Sequence, residues 1–380
     1  MAKKRLFWQR ATRAVVAAGG VAFFILLSCG EPLGPAPNSW HKEAEFNEDP
    51  GTNIESLCVA GRRVYVAITR PSIPASVRCE ETNELAILIF RGGRLEDDWV
   101  LSKAGIGGRM GGLGKIGSVL WAGGTRTEGN EEILHFPVLV RNTGSGWREV
   151  DLSSNPGFGG IGRVYPVSGD ACWLLTGDED PGPWYGSLVL YDKGALRRFP
   201  AFSYVTAAYD ADAETLYVVR RKKGDVLETA ITRDRGSSWV YEKTVLKPFP
   251  GADIAKADIL PPIVYRNELI LALTPVYSRG GTWTAIYRRT GAPGAGQYEL
   301  VFFSNLGPYF RAIEAMAADN SPRLMGVGID TCLVYDGRNW VLETPPYKLT
   351  SFNAVAPADV GFYATARNET TEKMELLFHP

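Results

Sequence analysis

Residues 204–243 read YVTAAYDADAETLYVVRRKKGDVLETAITRDRGSSWVYEK, and this stretch decides the fold class. It contains four apolar segments with alternating side chains, separated by short runs rich in Asp, Gly, Lys or Ser. Period-two alternation of Val, Ile and Tyr predicts β-strands, and the polar runs between them predict turns. The stretch is therefore a unit of four consecutive strands joined as hairpins.

The second half of this unit recurs along the chain as a strand, a turn and then an aromatic residue. The aromatic residues of these hairpins are Trp99, Trp147, Phe199, Trp239, Tyr298 and Trp340. A second pair of strands precedes each hairpin, most clearly at 352–367. Four-stranded sheets packed radially bury both faces and leave only short edges, so the repeat predicts an all-β protein, a single β-propeller.

The two ends of the chain determine the expected number of blades. Residues 351–380 supply only three strands, whereas residues 39–46 form an isolated strand with Trp40 in register with the other aromatic residues. We expect these two segments to share one sheet and to close a ring of seven four-stranded blades over residues 40–380. Rings of six and eight blades are the alternatives.

The composition agrees with a large packed β protein. The chain has 380 residues, of which 45% are apolar, with 42 Gly, 10 Trp and a formal charge of −1. Residues 1–28 contain Lys and Arg but no acid, so the rest of the chain is more acidic and we expect no nucleic-acid partner. No Cys or His spacing resembles a zinc site, and we expect neither a metal nor another cofactor.

The amino-terminal segment has the pattern of an export signal. A basic stretch is followed by an apolar run over residues 14–27, which is short for a membrane span. The sequence LLSCG at 26–30 then resembles the bacterial lipoprotein signal. The resemblance implies a signal peptide at 1–28 and a palmitate-bearing, lipidated amino terminus at Cys29. An uncleaved signal anchor is the alternative.

Further expectations follow from this resemblance. Residues 29–39 are rich in Pro and Gly and predict a tether between the lipid and the propeller. Gly30, in place of Asp, directly follows the cysteine, which favours the outer membrane over the inner membrane of the cell envelope. The leaflet that the protein faces is left open.

The remaining four cysteines lie in a chain that we expect to be exported into an oxidising compartment. Cys58 and Cys79 fall in one predicted blade. The sequence leaves open whether they form a disulfide or stay as two free thiols. Cys172 and Cys332 lie inside apolar runs and are expected to be buried thiols.

One turn carries a family motif. The sequence TRDRGSSW at 232–239 resembles the Asp-box (BNR) repeat, Ser/Thr-x-Asp-x-Gly-x-x-Trp, of sialidases and sortilin-type receptors. Thr232, Asp234, Gly236 and Trp239 occupy the motif positions. In that family the box lies away from the active face, so the resemblance implies a structural role for these four residues.

The loops between the second and third strands of a blade, and those between blades, open on one face of a propeller. The first loop position after the second strand is basic in four blades, at Arg70, Arg126, Arg220 and Arg367. The other members of the predicted basic, aromatic-edged mouth are Arg109, Arg279, Trp184 and Tyr185. Guanidinium groups suit carboxylates and phosphates, so the mouth predicts an envelope protein or an anionic or carbohydrate ligand. Ordinary solvated loop charges are the alternative.

No residue is predicted to be catalytic. By resemblance, sialidase activity would require three arginines on a substrate carboxylate, a tyrosine beside a glutamate and an early Arg-Ile-Pro motif. Residues 68–74 contain Arg, Ile and Pro, but not in that order. Gly-x-Ser-x-Gly is absent from the sequence. The Gly-rich stretch 103–115 lacks the Lys-Ser/Thr of a phosphate loop and is expected to be a crossing between blades.

The sequence therefore predicts a lipid-anchored β-propeller that acts as a non-catalytic binding, scaffold or assembly module of the cell envelope. One alternative is a carbohydrate-active enzyme of the Asp-box, sialidase-like class. The other is a surface adhesin.

Overall fold

The computed structural model describes the propeller from Trp40 onward with interruptions. The described residues are 40–46, 52–71, 83–101, 107–128, 134–152, 159–177, 186–222, 226–246, 254, 257–275, 283–305, 313–318, 323–328, 331–343, 349–368 and 371–380. They form seven antiparallel sheets, the blades of a β-propeller. No helix in this part of the chain is long and apolar enough to cross a membrane.

The first three blades follow one another along the chain. Blade 1 contains β2 (Asn53–Ala60), β3 (Arg63–Pro71), β4 (Asn83–Arg91) and β5 (Arg94–Val100). Blade 2 contains β6 (Gly107–Ile116), β7 (Val119–Glu128), β8 (Leu134–Asn142) and β9 (Trp147–Glu149). Blade 3 contains β10 (Gly160–Pro166), β11 (Ala171–Gly177), β12 (Ser187–Asp192) and β13 (Ala195–Phe199).

The next three blades continue the pattern. Blade 4 contains β14 (Thr206–Asp210), β15 (Thr215–Arg221), β16 (Val226–Thr232) and β17 (Val240–Val245). Blade 5 contains β18 (Ala257–Ile259), β19 (Ile263–Tyr265), β20 (Glu268–Pro275), β21 (Trp283–Thr290) and β22 (Gln297–Asn305). Blade 6 contains β23 (Ile313–Ala318), β24 (Leu324–Gly328), β25 (Thr331–Tyr335) and β26 (Trp340–Glu343).

Blade 7 is built from both ends of the described chain. Strands β27 (Leu349–Pro357), β28 (Phe362–Asn368) and β29 (Met374–His379) are joined by β1 (His41–Phe46) as the outermost strand. His41 lies opposite Phe378 and Phe46 opposite Met374. The predictions of seven four-stranded blades and of closure by the two termini are confirmed.

The antiparallel order gives the propeller two distinct ends. The turn end holds the turns between the first and second strands and between the third and fourth strands of each blade. The loop end is the opposite one, where the second strand meets the third and where one blade leads to the next. Most connections at the loop end fall outside the described residues, whereas most turns at the turn end are described.

The core lies between the blades, because alternate side chains of one strand face different neighbours. On β4, Ala86, Leu88 and Phe90 pack with residues of blade 7, including Phe46. Their neighbours Leu85, Ile87 and Ile89 pack with residues of blade 2. Strands buried on both faces need continuous apolar runs, as LAILIF on β4 provides, whereas the outermost strand β5 is largely exposed.

The innermost strands crowd around the central channel and are irregular. The Gly-rich stretch expected to be a crossing between blades instead supplies β6, the innermost strand of blade 2. A Cβ atom added to Gly111 would lie 2.2 Å from the Ile161 carbonyl oxygen, so the close approach of β10 requires glycine here. In blade 5, Pro261 and Pro262 have no N–H to donate and divide the innermost strand into β18 and β19.

Three cysteines lie in the described core. Cys58, Cys172 and Cys332 are buried free thiols, as expected for the last two. Burial raises the pKa of Cys58 to about 11 and the pKa values of the other two well above their usual range. These thiols therefore remain protonated at neutral pH and act as apolar core groups. Cys79 lies outside the described residues.

Candidate ligand-binding site

Four of the arginines proposed for the mouth occupy equivalent positions in four blades. They are Arg70 on β3, Arg126 on β7, Arg220 on β15 and Arg367 on β28. Each is at or next to the last residues of a second strand, which places it at the loop end. Arg279, Trp184 and Tyr185 lie outside the described residues.

In blades 1 and 2 these arginines form ion pairs with acids of their own blade. Arg70 Nη2 lies 2.9 Å from Asp98 Oδ2 on β5, and its Nη1 lies 3.4 Å from Glu84 Oε2 on β4. Arg126 Nη1 lies 3.3 Å from Glu149 Oε1 on β9. Both guanidinium groups therefore extend from the second strand toward the outermost one.

In blade 4 the arginine pairs with a buried carboxylate of the neighbouring third strand, Glu228 on β16. Arg220 Nε donates to Glu228 Oε1 at 2.5 Å, and its Nη1 donates to the Ala201 carbonyl at 2.8 Å. Lys222 Nζ lies 3.6 Å from the same carboxylate oxygen. A guanidinium has five N–H donors, so an ion pair fixes its orientation while leaving donors for a further acceptor.

A second charged cluster lines the channel at the innermost strands of the first three blades. Glu55 lies at a β-bulge in β2 and faces β6, where Arg109 donates to its two oxygens at 2.9 and 3.1 Å. The Thr69 hydroxyl lies 3.4 Å from the same carboxylate and accepts the Met110 N–H at 2.9 Å. Of the predicted loop-end residues that the structure describes, Arg109 is the one that lies in the channel wall.

This cluster, which we call the channel pocket, borders a small, partly open cleft in the channel wall. Its lining residues are Glu55, Arg109, Met110, Gly111, Thr125, Ile161, Gly162 and Arg163. Burial lowers the pKa of Arg163, and the nearby Tyr165 and Glu55 oppose that shift. Because arginine titrates far above neutral pH, two cations and one carboxylate face the pocket, an arrangement suited to a small anionic group.

Tyr165, which follows the pocket residue Arg163 by two positions on β10, does not have the environment of a nucleophile. The Tyr165 hydroxyl donates to the Ala207 carbonyl at 2.6 Å, and burial raises its pKa to about 12. Glu55, which lines the pocket, is held by Arg109. Within the described residues of this pocket, the tyrosine–glutamate pair required for sialidase-like chemistry is therefore not formed.

Sequence reasoning did not single out Glu55 or Arg163, although both positions carry a local signal. Each lies at or beside a β-bulge, between Ile54 and Ser56 in β2 and between Ile161 and Arg163 in β10. Bulges redirect side chains, and glycine inside a strand is their usual sequence sign. Gly162 gives that sign in β10, whereas β2 gives only two consecutive polar residues within an apolar strand.

The turn that resembles an Asp-box has a dense set of local hydrogen bonds at the turn end. Asp234 accepts hydrogen bonds from the Thr232 hydroxyl at 2.8 Å and from both the N–H and the hydroxyl of Ser238, at 2.9 and 2.5 Å. These bonds lower the pKa of Asp234 to about 2. Gly236, with a φ of 77°, donates to Thr232 at 2.8 Å.

The aromatic residue of this turn packs into blade 3. The Trp239 ring lies 4.4 Å from the ring of Phe202 and 5.7 Å from that of Phe199, measured between centroids. A Cβ atom added to Gly236 would lie 2.5 Å from Phe199, so the turn is fitted against the same aromatic group. These contacts tie blade 4 to blade 3.

No group of three or more His, Cys, Asp or Glu side chains within the described ranges could hold a metal ion. The arginines of the channel pocket and of the loop end that do pair with carboxylates are suited to polar recognition; they are Arg70, Arg109, Arg126 and Arg220.

Comparisons with known proteins bear on the fold. No protein-family model matches the chain. No curated protein matches it either.

Solved structures that are similar include a puromycin-hydrolyzing peptidase of Mycobacterium tuberculosis, with a TM-score of 0.51 and 16% identity over 89% of this chain and 55% of the peptidase. The Cps50 (Swd1) β-propeller domain of Myceliophteria thermophila has a TM-score of 0.46 and 10% identity over 86% of this chain and 99% of that domain. A sialidase of Trypanosoma rangeli has a TM-score of 0.43 and 11% identity over 91% of this chain and 59% of the enzyme.

This chain spans little more than half the length of the peptidase and of the sialidase. At such identities a similarity concerns the fold alone, and propellers with one fold have many functions. The function of this chain is therefore inferred from its own residues.

Proposed function

We propose that the protein is a lipid-anchored β-propeller of the bacterial cell envelope, in the outer membrane, and that its loop end binds a partner protein or an anionic ligand without catalysis. The observation that carries this proposal is the repeated ion-paired arginine at the loop end. Arg70, Arg126 and Arg220 stand at the same level of three blades, each oriented by a carboxylate. Such oriented guanidinium groups favour recognition of a fixed pattern of acceptors.

The channel pocket supports a second candidate, a carbohydrate-active enzyme or lectin-like site for a carboxylate-bearing ligand. Arg109 and Arg163 both face the pocket, as a substrate carboxylate would require. The Glu55–Arg109 pair and the engaged Tyr165 hydroxyl favour binding over catalysis at this site. Release of a sialic acid by the purified protein would support the enzyme and contradict the binding module.

The anchor rests on the LLSC motif, which lies outside the described residues. Metabolic labelling of cells with palmitate is expected to label the wild-type protein and not the Cys29→Ala variant, because acylation requires the cysteine sulfur and the new amino terminus. Equal labelling of both chains would exclude this anchor. A Cys172→Ala variant, which changes only a buried thiol, is the matched control and should remain labelled.

Partner binding is tested by changing Arg70 and Arg126 together to Ala. We expect affinity capture from solubilised native envelopes to recover the partner at least about ten-fold less efficiently, since a charged hydrogen bond contributes about 1.5–3 kcal/mol where water is excluded. The salt dependence of capture should also weaken. The melting temperature should change little, because surface ion pairs contribute about 0–1 kcal/mol each.

The matched control for that experiment changes arginines of the outer wall. Arg148 and Arg197, exposed on β9 and β13, are replaced by Ala in the same background. Capture should be unaffected by this change. Equal recovery by the Arg70→Ala/Arg126→Ala variant and this control would contradict the proposed loop-end site.

A further inference from the structure

The described chain begins at the turn end of blade 7. Trp40 precedes β1, whose first residue pairs with Phe378 near the end of β29. The last residues of the chain are also there, because a Cβ atom added to Gly361, in the turn between β27 and β28, would lie 2.2 Å from the His379 carbonyl oxygen. A tether that precedes Trp40 is therefore joined to the propeller at its turn end.

Four exposed arginines lie in the two turns of blade 1, directly beside this point. This turn-end arginine cluster consists of Arg62, Arg63, Arg91 and Arg94. In the sheet, Arg91 stands opposite both Arg63 and Arg94. Like charges placed directly opposite one another cost stability, and one carboxylate, Glu96, offsets part of that cost.

The cluster is in contact with the strand that closes the ring. A Cβ atom added to Gly93, between Arg91 and Arg94, would lie 2.3 Å from the Glu43 carbonyl oxygen on β1. Two exposed apolar side chains lie in the same region, Leu95 after the second turn and Val360 in the turn between β27 and β28. The surface beside the first described residue therefore combines arginines with accessible apolar groups.

One acid, Glu96 on β5, is in direct contact with the cluster, and others border it. Glu96 lies 2.5 Å from Arg63 and 3.6 Å from Arg91, so one carboxylate serves two of the guanidinium groups. Glu43 on β1 and Asp359 in the turn of blade 7 border the region. Lys115, exposed near the first turn of blade 2, adds a fifth cation.

The opposite side of the turn end has the reverse charge. The turns of blades 3 and 4 carry three cations, Lys193, Arg233 and Arg235, of which Arg235 pairs with Asp192. They carry more acids than cations, so this side is net negative: Asp170, Asp192, Asp210, Asp212, Glu214 and Asp234. A surface of anionic phosphates would attract the side of blade 1 and repel the side of blades 3 and 4. The charge distribution thus distinguishes one preferred orientation of the turn end on such a surface.

We infer that the turn-end arginine cluster binds the anionic headgroups of the membrane that holds the lipid anchor, with the loop end directed away from the bilayer. This inference rests on the proposed anchor at Cys29, because the anchor and the cluster would meet the membrane on the same side. Arginine forks match phosphate oxygens, and basic residues next to an anchor add attraction to an anionic leaflet. Exposed Leu95 and Val360 would enter the headgroup boundary beside them.

The test uses the full lipidated chain reconstituted into vesicles and measures the rate at which phenylglyoxal modifies each arginine. In vesicles with about one third phosphatidylglycerol, Arg62 and Arg94 should react about five-fold more slowly than in phosphatidylcholine vesicles. The difference should disappear at about 1 M salt. Arg197, on the outer wall of blade 3, should react equally in both and serves as the internal control.

Flotation of the vesicles separates failure of the anchor from failure of the cluster. Protein that does not float has no lipid anchor, which contradicts the proposed function. Protein that floats but shows equal modification of Arg62 and Arg94 in both vesicles contradicts the membrane-facing cluster alone. Protection by inorganic phosphate in phosphatidylcholine vesicles would identify a soluble phosphate as the ligand and also overturn the inference.

A variant checks that protection comes from the cluster itself. The lipidated Arg62→Gln/Arg94→Gln chain keeps Arg91. In the anionic vesicles this residue should lose most of its protection from phenylglyoxal. The melting temperature reports whether the variant is folded, and because both residues are exposed it should stay close to that of the wild type. Unchanged protection of Arg91 in the folded variant would contradict a cooperative headgroup site.

Discussion

A chain that begins at Asn47 is expected to melt at least about 10 °C below the wild type or to lose its cooperative transition. The deletion removes β1 and with it Trp40 and Phe46, which are 5% and 7% exposed. Loss of a buried Trp or Phe costs about 3–5 kcal/mol, and whole domains are stable by only about 5–15 kcal/mol. Thermal unfolding followed by circular dichroism measures the effect.

Point variants separate the role of these side chains from that of chain length. Trp40→Ala and Phe46→Ala should each lower the melting temperature by several degrees, because both rings pack on another aromatic ring. The ring centroids of Trp40 and Phe352 are 5.3 Å apart, and those of Phe46 and Phe90 are 5.2 Å apart. His41→Ala, at an exposed position of the same strand, is the control and should have little effect. An unchanged midpoint in the truncated chain would mean that β1 does not close the ring.

The Glu242→Ala variant is expected to be about 3–5 kcal/mol less stable than the wild type. Glu242 on β17 and Arg289 on β21 form a buried ion pair between blades 4 and 5, with side chains 3% and 4% exposed. The same carboxylate accepts the N–H of Gly294 at 2.7 Å and the N–H of Gly296 at 3.2 Å. Removing it leaves a buried cation and two backbone donors without this acceptor.

Urea unfolding at neutral pH measures this loss, with Glu299→Ala as the matched control. Glu299 lies 3.0 Å from Arg288, the neighbour of Arg289, but its side chain is 61% exposed. That surface pair should contribute about 0–1 kcal/mol. Similar unfolding midpoints for the two variants would show that burial of the Glu242–Arg289 pair does not determine its contribution to the free energy of unfolding.

The sequence predicted the architecture because its signals are local and repeated. The alternating strands and the turns with a following aromatic residue recur in each blade, and Trp40 marks β1 as a member of the same pattern. The segment 107–115, interpreted from the sequence as part of a crossing between blades, lies in β6 and is Gly-rich for a reason that is not local. Gly111 makes room for β10, and no periodicity within β6 shows that requirement.

The charged pairs of the sites were not predicted, because their partners are far apart in the sequence. Glu55 in blade 1 pairs with Arg109 in blade 2. Glu242 in blade 4 likewise pairs with Arg289 in blade 5. The pattern of arginines after second strands was visible in the sequence. The carboxylate partners of these arginines depend on the register between strands. Arg70 lies opposite Glu84, and Arg220 lies opposite Glu228.

The central claim, that the loop end binds a partner, is tested most directly by photocrosslinking in intact cells. A photoreactive amino acid replaces Phe136, which is 37% exposed on β8 opposite Arg126, or Tyr241, which is 51% exposed on the outer wall of blade 4. The proposed loop-end site predicts a discrete protein adduct from Phe136, lost when Arg70 and Arg126 are Ala, and none from Tyr241. The same adducts from both positions, or an adduct from Tyr241 alone, would contradict it.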